Sequence, residues 1–311
     1  MQPETVDAAL SAFAPAGVEA DTLLHLFWIM VAGAAVVWVA VLAIAAYAAL
    51  SHSSSRVRIA RRVILVGGVA TPTLVLGVLL VYGLLLMPRL RAAVPADALR
   101  IDVSGEQWWW RVRYAEGGVD TANEIRIPAG RPVALTLTSP DVIHSFWVPA
   151  LAGKVDMIPG RSNTLVLRAK RAGVFRGVCA EFCGTSHAQM RMLVVAMAPT
   201  GFDRWLQRQA TPAQEPRSEL QRSGRRAFLA NGCGACHAVR GTAAVGAVGP
   251  DLTHVGSRLE LAAGTLPNDS AAFGRWIAAP HAAKPDALMP DFGMLPDADL
   301  AAISAWLESL Q

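Results

Sequence analysis

Two apolar runs without a single formal charge constrain the first third of this chain more than any other feature. One extends from Leu23 to about Leu50 and the other from Val63 to about Met87. Each exceeds the roughly 20 residues that a helix needs to cross the hydrocarbon core of a bilayer. A helix apolar on every face has no stable place at the surface of a soluble protein. The chain as a whole is 53% hydrophobic, which agrees with a membrane-anchored, multidomain protein. Between the runs lies Ser51-His-Ser-Ser-Ser-Arg-Val-Arg-Ile-Ala-Arg-Arg62, basic and free of acid, whereas Glu4, Asp7, Glu19 and Asp21 precede the first run. The positive-inside rule therefore puts this loop in the cytoplasm. It predicts an extracytoplasmic N-terminal segment over 1–22, a two-helix transmembrane hairpin over 23–90, and extracytoplasmic domains beyond it. Gly67, Gly68 and Pro72 suit close packing of the second helix against a membrane partner. The first twenty residues lack the basic start and apolar core of a cleavable signal, so any presequence has been removed or was never needed.

After Pro88 the pattern changes to short strand-like segments. Arg100–Ser104, Trp110–Tyr114, Glu124–Ile127, Pro132–Thr138 and Asn163–Ala169 alternate or carry β-branched residues, with Gly, Pro and Asp between them. That spacing predicts an antiparallel β-sandwich over 95–205. Residues 206–221 have the polar, Pro-containing composition of a linker, and 222–311 read as a small all-α domain. There Leu300, Ile303, Trp306 and Leu307 form one apolar face over Asp297–Leu310. A net charge of +4 without basic clusters among exposed aromatics gives no reason to expect nucleic acid.

Chemistry concentrates in two places, and they take up all four cysteines. In Cys179-Ala-Glu-Phe-Cys183-Gly-Thr-Ser-His187-Ala-Gln-Met190, two thiols, an imidazole and a thioether fall within twelve residues. These are soft or borderline ligands that favour copper. Two thiols four residues apart allow two bridging thiolates, hence a copper pair, and His144 in Asp141-Val-Ile-His-Ser is the candidate second imidazole. A disulfide or a zinc site are the alternatives. The second place is Cys233-Gly-Ala-Cys236-His237, a C-x-x-C-H element that signals covalent attachment of a c-type haem with His237 as iron ligand. A thioredoxin-like pair is the alternative, but no βαβ context follows it. Because both pairs mature outside the cytosol, each is open to oxidation before it is loaded.

The first motif, with Asp-Val-Ile-His144-Ser upstream, resembles the binuclear Cu-A signature of cytochrome c oxidase subunit II, and the likeness runs from about Leu23 to Arg204. The remainder resembles a class I cytochrome c. The first resemblance implies a cupredoxin fold, with His144, Cys179, Cys183, His187 and Met190 holding dicopper and Glu181 contributing its backbone carbonyl. It also implies that the Glu181 carboxylate binds Mg2+ or Mn2+ at the subunit I interface. The second implies Met289, in Met289-Pro290, as the sixth iron ligand, with Met294, His254 and His281 as weaker options. It further implies that the Pro250 carbonyl accepts the His237 N–H, and it puts Trp276 beside a haem propionate.

In Gln107-Trp108-Trp109-Trp110 the first Trp matches the residue that receives electrons from cytochrome c in the family, although Trp109 departs from the pattern. With a haem domain fused to the chain, Trp108 either lies between haem and copper or is a vestige. Side chains alternate along a strand, so three successive Trp cannot share one buried face. The acid that many subunits II carry early in the second span is missing between Val63 and Thr71.

The resemblance thus implies the electron-input subunit of a respiratory haem-copper oxidase in the bacterial inner membrane. Its electrons would come from cytochrome c or a cytochrome bc complex and pass through the c-type haem and Cu-A to subunit I, where O2 is reduced with proton translocation. Subunit III is a further expected partner. A Cu-A-containing nitric oxide reductase subunit and a membrane-anchored copper or haem delivery protein are the other readings.

Overall fold

The computed structural model describes residues 10–50, 57–90 and 94–311. It divides into residues 22–93 and a unit made of 1–21 with 94–311.

The first unit is helical. Helix α1 (Val18–Leu50) covers the first apolar run, and the second is covered by α2 (Val57–Leu65), a π-helical turn (Val66–Ala70) and α3 (Thr71–Leu90). Pro72 has no N–H to give the preceding turn. There the Thr71 N–H bonds the Val66 carbonyl, and the Thr73 hydroxyl donates to the Val69 carbonyl at 2.7 Å. The wide turn has this local cause. Val18–Leu50 and Ala60–Met87 contain windows of mean hydropathy 2.6 and 2.3 with none of their residues buried. Such a surface needs lipid or other helices around it. The segment Ser51–Arg56, part of the basic loop, lies outside the described residues.

The second unit begins by tying the chain's early segment to a β-sandwich. Ala16 and Gly17 donate to the Ala150 carbonyl, Lys170 N–H to Ala16, and the Glu19 carboxylate accepts from the Arg168 N–H. The ten strands are β1 (Leu99–Glu106), β2 (Trp109–Tyr114), β3 (Val119–Ala122), β4 (Glu124–Pro128), β5 (Val133–Thr138), β6 (His144–Trp147), β7 (Val155–Met157), β8 (Asn163–Leu167), β9 (Gly173–Cys179) and β10 (Arg191–Met197). One sheet has the order β3-β2-β1-β5-β8 and the other β4-β10-β9-β6-β7. Alternation drives the faces: Leu99, Ile101 and Val103 are buried while Arg100 and Asp102 are exposed. The sandwich is not wholly antiparallel as expected, because β1 pairs β5 and β4 pairs β10 in parallel. Between the sheets Trp110, Tyr114 and Phe146 are fully buried.

Helix α4 (Pro199–Gln209) lies where composition suggested the start of a linker. Apart from the buried Gln209 its polar residues face out, while Phe202 and Trp205 enter the sandwich core, Trp205 meeting Tyr114 edge-on at 5.3 Å. Of the segment 206–221 expected as linker, only 210–218 lie outside helices. Helix α5 (Glu219–Ala230) then starts on a capping box in which the Ser218 hydroxyl accepts the Gln221 N–H.

Helices α6 (Ser270–Ala278), α7 (Pro280–Ala283) and α8 (Asp297–Ser309) complete the C-terminal domain, with a minimal hairpin of β11 (Glu260–Leu261) and β12 (Leu266–Pro267). The pairing of α5 with α8 centres on Phe228 against Trp306, 5.1 Å apart.

This domain is seated on the sandwich by specific polar contacts. Glu124, almost fully buried, accepts from Arg126 Nε at 2.7 Å with one oxygen and from the Leu259 N–H at 2.8 Å with the other. Arg176 grips Glu260 through both oxygens, at 2.7 and 3.1 Å. Buried ion pairs add little net stability but penalise wrong registers, since an undocked partner leaves a poorly solvated charge. The contacts therefore specify one seating of the two domains.

Candidate metal centre

Strands β6 and β9 are hydrogen-bonded neighbours with Phe146 opposite Cys179. That register brings His144, at the start of β6, to the same end of the sandwich as the β9–β10 loop. The geometry follows from there. Cys179 Sγ lies 3.9 Å from His144 Nδ1, 3.2 Å from the Glu181 carbonyl oxygen and 3.8 Å from Cys183 Sγ. Cys183 Sγ lies 3.5 Å from His187 Nδ1 and 3.8 Å from Met190 Sδ. The residues thus form two lobes, His144 with the Glu181 carbonyl and His187 with Met190, joined by the thiol pair. His144, Cys179, Cys183 and Met190 are buried and His187 is half-buried, whereas the Glu181 side chain is exposed.

The thiols are unbonded, and 3.8 Å is far beyond the roughly 2.05 Å of a disulfide. It is within reach of one ion held by both sulfurs at about 2.3 Å each. The hydrogen bond from Cys183 holds the Cys179 thiol well below the usual thiol range against the pull of burial, and donating that same bond, together with burial, pushes Cys183 up. The first thiolate is therefore ready-made, and the second waits for a cation. Asp141, for which no role was legible in the motif, accepts from His144 Nε2 at 2.8 Å and so directs Nδ1 at the thiols. The ligand set fits a soft metal pair.

The C-terminal domain encloses a cavity of about 380 Å³. Cys233, Cys236, His237 and Met289 line it from this domain, and Trp108 and Trp109 from the sandwich. His237 Nδ1 donates to the Pro250 carbonyl at 2.8 Å, leaving Nε2 for a metal, and burial lowers the His237 pKa so that the ring stays neutral. Gly249 permits this: a Cβ there would fall 2.5 Å from His237 Cε1. Arg258 also lines the cavity, its Nε buried without a hydrogen-bond partner, a donor suited to the carboxylates of a porphyrin. Trp276 is on the same wall. Among the weaker iron-ligand options, Met294 is 78% exposed. His254 is engaged by the Gln311 and Thr211 carbonyls and His281 by Ala287. These residues fit a haem.

The two sites share a wall. Trp108 and Trp110 are buried while Trp109 between them stays half-exposed under the Arg111 guanidinium at 4.6 Å, the alternation expected of successive residues in extended chain. The Trp108 indole N–H donates to the Cys183 carbonyl at 3.0 Å, and the Gln107 amide reaches the same oxygen at 2.7 Å. Lys284 Nζ donates to the Trp108 carbonyl at 2.7 Å. Burial pulls the Lys284 pKa down to about 7. Neither Lys284 nor Gln107 is legible from spacing, because each acts across the domain boundary.

Comparison with known proteins accounts for both parts. Residues 118–197 match the cytochrome c oxidase subunit II periplasmic domain, and 221–311 match cytochrome c. Cytochrome c oxidase subunit 2 of Alkalihalophilus pseudofirmus is 40% identical over 215 residues, 69% of this chain and 62% of that protein. The Bacillus subtilis protein of the same name is 31% identical over 225 residues, 69% and 63% of the two chains. The chain thus spans less than two thirds of the length of these relatives. The solved periplasmic domain of subunit II of cytochrome oxidase from Bradyrhizobium japonicum is 31% identical, with a TM-score of 0.36 over 37% of this chain and 96% of that one.

Proposed function

We propose, for a chain that belongs to the cytochrome c oxidase subunit II family and carries a cytochrome c domain, that it is the electron-input subunit of a respiratory haem-copper oxidase. It would sit in a bacterial inner membrane with both outer domains on the periplasmic side, beside subunit I and subunit III. When bound, a haem on Cys233 and Cys236 and a copper pair on Cys179 and Cys183 supply one-electron carriers between cytochrome c or a cytochrome bc complex and subunit I. There O2 is reduced to water with proton translocation. The observation that carries this reading is the shared wall: one buried residue, Trp108, both lines the haem cavity and hydrogen-bonds the copper loop.

The residues divide the work. His144, Cys179, Cys183, His187 and Met190, with the Glu181 carbonyl, would hold the copper pair in a largely buried loop. His237 and Met289, which line the cavity, would hold the iron of a bound haem, and the Pro250 carbonyl fixes the His237 tautomer. The nearly buried Trp108 is closed to an outside donor, so electrons enter at the haem domain. The short tether over 210–218 keeps that domain at a high effective concentration. The exposed Glu181 carboxylate is left for Mg2+ or Mn2+ at the subunit I boundary.

Metal analysis of the purified full chain tests this directly, with two coppers expected for each haem iron and an EPR pattern of one electron shared over two equivalent copper nuclei. A single copper of isolated character would overturn it in favour of a delivery protein. Consumption of NO without O2 by the purified complex would favour the reductase. Met289→Ala is expected to leave the haem covalently bound, open its iron to carbon monoxide and leave the copper spectrum unaltered. Failure to bind carbon monoxide would exclude Met289 as ligand.

A further inference from the structure

Lys284 is the anomaly of the domain boundary. It is 4% exposed, and lysines are almost never so buried without a partner of opposite charge. Among the described residues no carboxylate meets it, and its hydrogen bond goes to the backbone carbonyl of Trp108, 176 residues away in sequence. Burying an ammonium costs several kcal/mol, so what the bond holds in place must be looked for nearby.

The surroundings answer. The next residue, Pro285, accepts at its carbonyl from the Ser186 hydroxyl at 2.5 Å. Ser186 is fully buried and adjoins the copper-ligand candidate His187. The Lys284-Pro285 pair, on the loop that runs to Met289, is therefore gripped on both sides. One grip is the residue that bonds Cys183, and the other is the copper loop itself. Gly184 makes room for this contact, since a Cβ on it would come within 3.0 Å of the Trp108 ring and of Gln107 Nε2.

We propose that Lys284 is a positioning residue for electron transfer between the two domains: its bond to the Trp108 carbonyl holds the Met289 loop against the indole that bonds the copper loop. The inference rests on the functional reading above. It goes beyond that reading by making the transfer depend on a side chain that lines the cavity but belongs to neither set of expected ligands.

The test uses the full chain with both cofactors loaded. Lys284→Met is expected to leave copper and haem content and their absorption spectra as in the parent. It should slow haem-to-copper equilibration after flash photoreduction by roughly tenfold or more, as small misplacements of reacting groups do. Hydrogen exchange at the amides of 108–110 and 186–188 should rise in parallel, a readout independent of turnover. Lys284→Gln, polar but too short to reach the carbonyl, is expected to behave alike and replaces the Met variant if that one fails to load haem. An unchanged rate overturns the proposal. So does a slowed rate with unchanged exchange, which would assign the effect to charge rather than position. If the parent itself shows no haem-to-copper equilibration, the functional reading fails and this inference falls with it; a parent that equilibrates beside an unaffected variant sinks the inference alone.

Discussion

Cys183→Ser is expected to abolish the paired copper centre while leaving the haem and both domains in place. The thiol is the hub of the ligand set, within 3.8 Å of Cys179 Sγ, His187 Nδ1 and Met190 Sδ. Without it the His187–Met190 lobe loses its link to the His144–Cys179 lobe. A serine hydroxyl is a hard donor that stays protonated near neutral pH, so it neither bridges nor attracts copper as a thiolate does. Copper content should fall from two ions per haem to one or none, and the shared-electron EPR pattern should collapse to that of a single nucleus. Electron delivery to subunit I should drop by several orders of magnitude. The backbone carbonyl of residue 183 still receives the Gln107 and Trp108 donors, so the haem domain stays seated and the haem spectrum is unaltered. Retention of the paired signal in the serine variant would remove Cys183 from the ligand set and with it the dinuclear assignment.

What the sequence disclosed and what it withheld divide along a physical line. Local chemistry was legible. The spans declare themselves by length without charge, the C-x-x-C-H element by its spacing, and β1 by its alternation of Leu99, Ile101 and Val103 with polar neighbours. Contacts between distant segments were not. The parallel pairing of β1 with β5 is a property of the assembled sheet, and nothing in either strand distinguishes it from the antiparallel option. Helix α4 was hidden because its polar outer residues dominate the composition, while Phe202 and Trp205 give it only two inward anchors. Lys284 was hidden because a lysine is expected in water. The alternation rule held at the three successive Trp, of which the middle one, Trp109, is the one left half-exposed. At the copper loop the gap was narrower: the six residues expected as ligands do lie together, but Asp141 as the partner that turns His144 could not be named.

Trp108→Leu is expected to have the second largest effect, and one of a different kind. The indole is 7% exposed and packed beside Gly184, and its N–H satisfies the Cys183 carbonyl jointly with Gln107. Truncation to Leu leaves part of the ring's volume empty, and large-to-small changes of buried aromatics to Ala cost roughly 3–5 kcal/mol, an upper bound for this milder change. The Cys183 carbonyl keeps its Gln107 bond, so the copper loop is not left with an unsatisfied oxygen, a loss that would otherwise cost roughly 1–3 kcal/mol. Both cofactors should therefore still load, with copper and haem spectra close to the parent. What is removed is the one aromatic side chain that both lines the cavity and bonds the copper loop among the described residues, Gln107 making the same two contacts with an amide. Haem-to-copper equilibration should consequently slow by several orders of magnitude in a chain that retains its metal content, the reverse of the serine variant, in which the metal is lost and the seating kept. Trp108→Phe separates the two contributions of the indole: it restores most of the packing without the donor, and its rate should fall between parent and Leu. If the Leu variant equilibrated as fast as the parent, Trp108 would be a packing residue that merely lies between the sites, and electrons would have to cross through the neighbouring Gln107 or Ser186 contacts instead.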